Sequence, residues 1–284
     1  MKKFVLLLFP VLCFSSLYAQ LERKPADTEL PVELTFHAPR HINLATVEPL
    51  ENKTFHLGIM HTFGTVDGGL ESLFGLDNGA NIQIVLEYGL SERLSLGASR
   101  SSRDKVYYAF GRYHLLRQMQ DNSMPLSLSV MAGAGVITGN YDFLGAAEPD
   151  FSDRQVYSAQ VMLARKFSDK FSFQVTPMLA VFSNPLSIYS IQSREDWYGG
   201  LGLSGKIRLS PKTSLTLQGI PGLHASAETN YGLGVDIEAG GHVFQLYLVT
   251  SQMLNEPYLL AGDNGQPLDG FRFGFNVNRV FAPW

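Results

Sequence analysis

The stretch 81–100, NIQIVLEYGLSERLSLGASR, alternates apolar and polar positions with a period of two. Ile82, Ile84, Leu86, Tyr88 and Leu90 share one face. Asn81, Gln83, Glu87 and Gly89 share the other, with Val85 among them. Successive residues of a strand point to opposite sides, so this period predicts strands. A three-residue polar turn, Ser91-Glu92-Arg93, separates the first strand from a second in which Leu94, Leu96 and Ala98 alternate with Ser95, Gly97 and Ser99. The same unit returns at 164–175 (ARKFSDKFSFQV) and 206–217 (KIRLSPKTSLTL). From residue 54 the alternation predicts twelve strands: 54–63, 81–90, 94–100, 105–117, 126–137, 156–166, 171–181, 197–209, 214–220, 231–239, 242–251 and 271–281.

The connections sort by length. Short ones fall at 91–93, 168–170, 210–213 and 240–241, with a slightly longer one at 118–125. Between them lie 64–80, 138–155, 182–196, 221–230 and 252–270; only 101–104 breaks the rule. Short turns at one end and long loops at the other, on strands of about nine to eleven residues, are the signature of an antiparallel outer-membrane β-barrel. An even strand count puts both ends of the barrel domain on the short-turn, periplasmic side. Aromatic residues recur near strand ends (Tyr88, Phe167, Phe171, Trp197, Tyr231, Phe281), where interfacial girdles belong. The architectural rival is a soluble sandwich or barrel, whose apolar face would point inward.

Composition supports closed β structure: charged residues are 17% against about 25% in soluble domains, and 27 glycines accompany 19 Phe and 12 Tyr. A basic start (Lys2, Lys3), an apolar run to Tyr18 and Ala19 predict a cleaved signal peptide over 1–19, with the mature chain beginning at Gln20. That chain would hold 20 basic and 26 acidic residues, a net charge of 20 − 26 = −6, and would lose Cys13, the one cysteine. Nothing suggests a nucleic-acid partner. Residues 20–53 carry Pro25, Pro31, Pro39 and Pro49 and no sustained period. They predict an N-terminal arm, either a loose lead-in or a plug, ahead of the barrel domain at 54–284.

Several segments, in order, resemble a family. They are 61–64 (HTFG), 74–100 (FGLDNGANIQIVLEYGLSERLSLGASR), 125–130 (PLSLSV), 163–177 (LARKFSDKFSFQVTP), 234–252 (GVDIEAGGHVFQLYLVTSQ) and 271–281 (FRFGFNVNRVF). The family is a domain-of-unknown-function group of predicted outer-membrane β-barrel proteins of Gram-negative bacteria. The resemblance implies a barrel and an outer-membrane address, and it carries no assigned activity, substrate or catalytic residue. The segment after Pro177, MLAVFSNP, departs from it by lacking a basic, His-containing run.

Candidate chemistry is sparse. His224-Ala225-Ser226 has the i, i+2 spacing of a strand-borne nucleophile and base, but it falls in a loop with no oxyanion partner following. His56 and His61 are five apart and would face opposite ways on a strand, so they make no shared metal site. Gly68-Gly69, Gly199-Gly200 and Gly240-Gly241 lack the Lys-Ser/Thr of a phosphate loop. No catalytic residue, cofactor or metal is therefore read. The feature with functional content is the inward-facing polar set: His56, Glu87, Arg112, His114, Lys206, Arg208, Asp236, Glu238 and Arg272, with Gln83, Gln160, Gln174 and Asn276. It predicts either a pore lining or a network of opposite charges bridging a filled bore. The functions that follow are small-solute permeation or transport, a loop- or arm-borne interaction with a partner, and, least favoured, lipid hydrolysis. Membrane lipid and a small solute are the expected partners.

Overall fold

In the computed structural model, residues 30–139, 149–184, 196–221, 223, 229–261 and 270–282 are described. Two short strands in the arm, β1 (Arg40–His41) and β2 (Leu44–Ala45), pair with each other. Twelve more close into one antiparallel barrel. They are β3 (Phe55–Thr65), β4 (Ala80–Gly89), β5 (Leu94–Ser101), β6 (Val106–Leu116), β7 (Ser127–Ile137) and β8 (Gln155–Lys166), then β9 (Phe171–Phe182), β10 (Trp197–Ser210), β11 (Thr213–Ile220), β12 (Asn230–Ala239), β13 (His242–Val249) and β14 (Arg272–Phe281). Each expected strand is present, with ends moved by one or two residues. The ring closes where β14 pairs with β3, from Gly274↔Thr62 to Phe281↔Phe55.

Why these residues form these strands is visible in the alternation itself. Along β3, His56, Gly58, Met60 and Thr62 are buried while Phe55, Leu57, Ile59 and His61 are less so. Along β4, Ile84 and Leu86 are exposed on the outside and Gln83, Val85 and Glu87 are buried inside. Leu233 and Ile237 on β12, and Leu246 and Leu248 on β13, likewise stand outward. A continuous apolar exterior over a polar interior is stable in lipid and inverts the pattern of a soluble sandwich. The aromatic contacts Phe55–Tyr88, Phe55–Phe281 and His61–Phe275 lie on this exterior, across adjacent strands.

Two local irregularities follow from side-chain chemistry. Pairing of β8 with β9 skips from Gln160↔Met178 to Leu163↔Val175. Pro177, which has no N–H to donate, sits in the gap. The turn from β12 to β13 is Gly240-Gly241 with φ of 59° and 76°. A two-residue hairpin turn that matches strand twist needs positive φ at both positions, which glycine alone adopts freely.

The expected signal peptide and His224-Ala225-Ser226 lie outside the described residues. Among those described, no helix is long and apolar enough to cross a membrane.

Candidate functional site

The barrel interior is filled from both ends. On the short-turn side the arm runs past the β6–β7 turn, where the Val32 amide donates to the Gln118 carbonyl (2.7 Å). It then enters the lumen. Phe36, Ala38, Ile42, Leu44, Ala45, Val47 and Leu50 are all buried there. The chain reverses at Ile42-Asn43 between β1 and β2, with Ile42 at φ 53°. It leaves past Gly89, whose carbonyl accepts from the Lys53 amide (2.8 Å), to begin β3. Residues 30–53 of the arm thus form a re-entrant segment whose hairpin packs inside the wall.

A hairpin this short cannot satisfy its own backbone, and buried amides and carbonyls need partners. Inward-facing wall side chains supply them. Gln174 Nε2 donates to the Ala45 carbonyl (2.8 Å), while its Oε1 accepts from the Val47 amide (3.0 Å). Gln218 Oε1 accepts from the Asn43 amide (3.0 Å). Asn276 Nδ2 donates to the Ile42 carbonyl (2.7 Å) and Gln245 Nε2 to the Arg40 carbonyl (3.1 Å). Arg112 Nη1 donates to the Thr46 carbonyl (2.8 Å), and Lys206 Nζ donates to the Leu34 carbonyl.

From the other end, the connection between β13 and β14 folds inward. Met253 to Ala261 are buried, and Glu256–Ala261 form a short helix, α1. Sequence reading placed 252–270 among the outward loops; residues 253–261 instead sit within the barrel mouth. Tyr258, Leu259 and Leu260 join Phe182, Tyr198, Ala180 and Ile220 in one apolar cluster. Gly200 leaves room for the approach: a Cβ there would stand 2.2 Å from Leu260 Cδ2, and that side chain would have to shift. Arm and loop touch. Arg40 Nη1 pairs with Glu256 Oε1, both fully buried. Asn43 Nδ2 donates to the Met253 carbonyl (3.2 Å).

The expected polar lining separates into groups. Glu87 and Arg112 form an ion pair at 3.0 Å. His56 lies beside them, 4.0 Å from Glu87, with Nε2 2.9 Å from Asn278 Oδ1. His114 Nδ1 is 2.7 Å from Ser129 Oγ. Lys206 serves the arm, Asp236 accepts from Gln245 Nε2 (3.1 Å), and Arg272 donates to the Thr250 carbonyl near the outer end. Arg208 and Glu238 do not line the filled bore. They keep inward parity but lie where β10 and β12 run out at the short-turn rim: Arg208 is half-buried, with Nε donating to the Ser210 carbonyl, and Glu238 is exposed. The pair that spans the bore is Arg40–Glu256, neither of which belongs to the expected set. Within the arm, burial holds His37 and His41 down to about 4, so both are neutral at neutral pH. Among the described residues no group of three or more His, Cys, Asp or Glu side chains is arranged to hold a metal ion.

Residues 36–281 match a family model described as "Membrane bound beta barrel domain (DUF5777)". The chain belongs to this family. It is a membrane-bound β-barrel, the closed antiparallel kind that spans outer membranes. No curated protein matches it in sequence. Among solved structures it is similar to an outer membrane channel from Pseudomonas putida F1, at 18% identity and a TM-score of 0.48 over 81% of this chain and 96% of that one. It is also similar to KdgM porin, at 6% identity and TM-score 0.49 over 80% and 99% of the two chains. A third is the CymD monoaromatic hydrocarbon channel, at 8% identity and TM-score 0.41 over 82% and 90%.

The residues that sequence reading missed in this family member are Arg40, Asn43, Gln218, Gln245 and Glu256. Parity marks Gln218 and Gln245: each alternates with apolar outward neighbours (Leu217; Phe244 and Leu246). No period marks Arg40, Asn43 and Glu256, because they lie in irregular segments that tertiary packing alone brings together.

Proposed function

We propose that this barrel is a permeation pathway for small solutes, with no catalytic role, held shut at rest by its own arm and its own loop. One observation carries the reading: the arm's tip and α1 meet inside the bore, through Arg40–Glu256 and Asn43–Met253. A barrel filled for rigidity alone would need only side chains from its wall, as eight-stranded barrels use. Here two segments with independent entry points fill it, and each can leave by the mouth it came through.

Glutamine and asparagine suit a reversible stop. Their amides present both donor and acceptor, bond the arm's backbone when it is docked, and are satisfied by water when it is not. The wall therefore holds the arm without leaving buried charge behind on most of its length. Liposome swelling tests the reading. Vesicles carrying the full chain should admit a pentose slowly, and vesicles carrying a chain without residues 21–51 should admit it much faster. Equal, slow swelling of both would favour the second reading, a barrel that presents its arm or loops to a partner.

A further inference from the structure

The recess that α1 fills has the make-up of a ligand site. Its walls come from the outer halves of β9, β10 and β11: Phe182, Tyr198, Ala180 and Ile220 are at most 2% exposed. Phe182 meets Tyr198 edge to face, with ring centroids 5.6 Å apart at 89°. It meets the Tyr258 ring at 5.8 Å and 72°. The phenol of Tyr258 therefore stands in an aromatic corner, a geometry favoured by ring quadrupoles. At the far end of that ring lies a carboxylate. The Tyr258 hydroxyl donates to Asp104 Oδ2 at 2.8 Å. Asp104 belongs to the 101–104 connection, the one short loop on the outer side. Its backbone is left-handed (φ 50°), a conformation that Asp tolerates better than most residues. That short loop turns a carboxylate towards the hydroxyl end of a largely apolar recess.

A largely apolar pocket with a few well-placed polar groups is how small-molecule sites fix orientation. We propose that this recess binds ring-bearing apolar solutes that carry a hydroxyl, and that Tyr258 is a tethered stand-in for them. The inference rests on the permeation reading for its purpose, since a solute arriving from outside would displace α1 and with it Glu256 from Arg40. The site itself is testable without any transport.

The probe is 4-methylphenol, which reproduces the tyrosine side chain, with toluene as its analogue lacking the hydroxyl. Binding to the detergent-purified full chain is read by equilibrium dialysis. Tyr258→Ala removes the stand-in and should tighten 4-methylphenol binding by roughly tenfold, because the competent state no longer has to be won from the tether. In that background 4-methylphenol should bind several-fold better than toluene. Adding Asp104→Ala should abolish that preference and leave toluene binding unchanged, since only the hydroxyl loses its acceptor. A second route leaves Tyr258 in place. A cysteine at the buried Leu259 (Leu259→Cys) should react with a maleimide faster when 4-methylphenol is present, and less so with toluene. Tyr258→Ala binding no tighter than the unaltered chain, together with a cysteine at 259 indifferent to 4-methylphenol, overturns the proposal. Equal binding of the two probes with or without Asp104 overturns the hydroxyl recognition. Loss of conductance in any variant would bear on permeation and leave these binding results standing.

Discussion

The arm and the β13–β14 loop occupy the same bore by opposite means. Wall amides hold the arm by its backbone: Gln174, Gln218, Gln245 and Asn276 bond Ala45, Val47, Asn43, Arg40 and Ile42. The loop is held mainly by its apolar side chains, with Leu259 and Leu260 buried in an α1 that packs on β8, β9 and β10, and by a few polar bonds such as Tyr258 to Asp104. Hydrogen bonds are directional and fix a register, whereas apolar burial tolerates sliding. The arm is thus positioned residue by residue along its backbone, and the loop is seated by its apolar face with its register set at a few points such as Tyr258 to Asp104. Their shared point is Arg40–Glu256, so each partly depends on the other's method.

The strongest way to break the comparison is at that shared point. Glu256→Leu leaves the Arg40 guanidinium buried without its carboxylate, which costs about 3–5 kcal/mol. The expected outcome is release of both segments, read as faster hydrogen exchange at 41–47 and 253–261 in the otherwise intact barrel. Combining it with Arg40→Met should restore protection, because two apolar residues in place of a buried pair are close to neutral. Next, Leu259→Ala should loosen the loop by about 2–5 kcal/mol and leave the arm's amide ladder in place. Hydrogen exchange would then rise at 254–261 and stay low at 40–47. The mirror change, Gln174→Leu, strands the Ala45 carbonyl and the Val47 amide, at about 1–3 kcal/mol for each buried unmet group. Exchange should then rise at 44–48 with the loop still protected. A rise in both segments from either single change would show that they form one unit.

The contrast also explains what was legible beforehand. All twelve strands could be read because a wall residue's surroundings are set by parity, and parity is written locally. The facing of Glu87, Arg112, His114 and Asp236 followed from the same rule. It failed to separate interior from rim for Arg208 and Glu238, because parity says nothing about depth. The plugs were harder. In 252–261 the apolar Met253, Leu254, Tyr258, Leu259 and Leu260 cluster within a connection read only as a long outer loop, which was the available signal. In the arm, Phe36, Ile42, Leu44 and Val47 show no period, since a hairpin clasped by wall amides needs none.

The smallest expected effect concerns pH. His37 and His41 sit at about 4 in the docked arm, below the ordinary value of 6.5, mainly through burial. A released arm would take up protons that the docked arm refuses. Through these two residues docking is fully favourable above about 6.5 and weakens as pH falls from there towards 4, while the Glu48 carboxyl of the same arm, pushed up by burial, works in the opposite sense. Replacing both residues by Gln should remove the histidine component, so that exchange at 36–42 rises less on acidification over that window than in the unaltered chain. The loop, which carries no histidine among its described residues, should show little pH response of its own.

The most direct test is the single-channel conductance of the purified protein in a planar bilayer, with and without residues 21–51. With the arm present, the account predicts little or no steady current. Without it, Glu256 loses Arg40, α1 loses its partner, and discrete openings should appear. A large steady conductance in the full chain would contradict a bore closed by its own two segments.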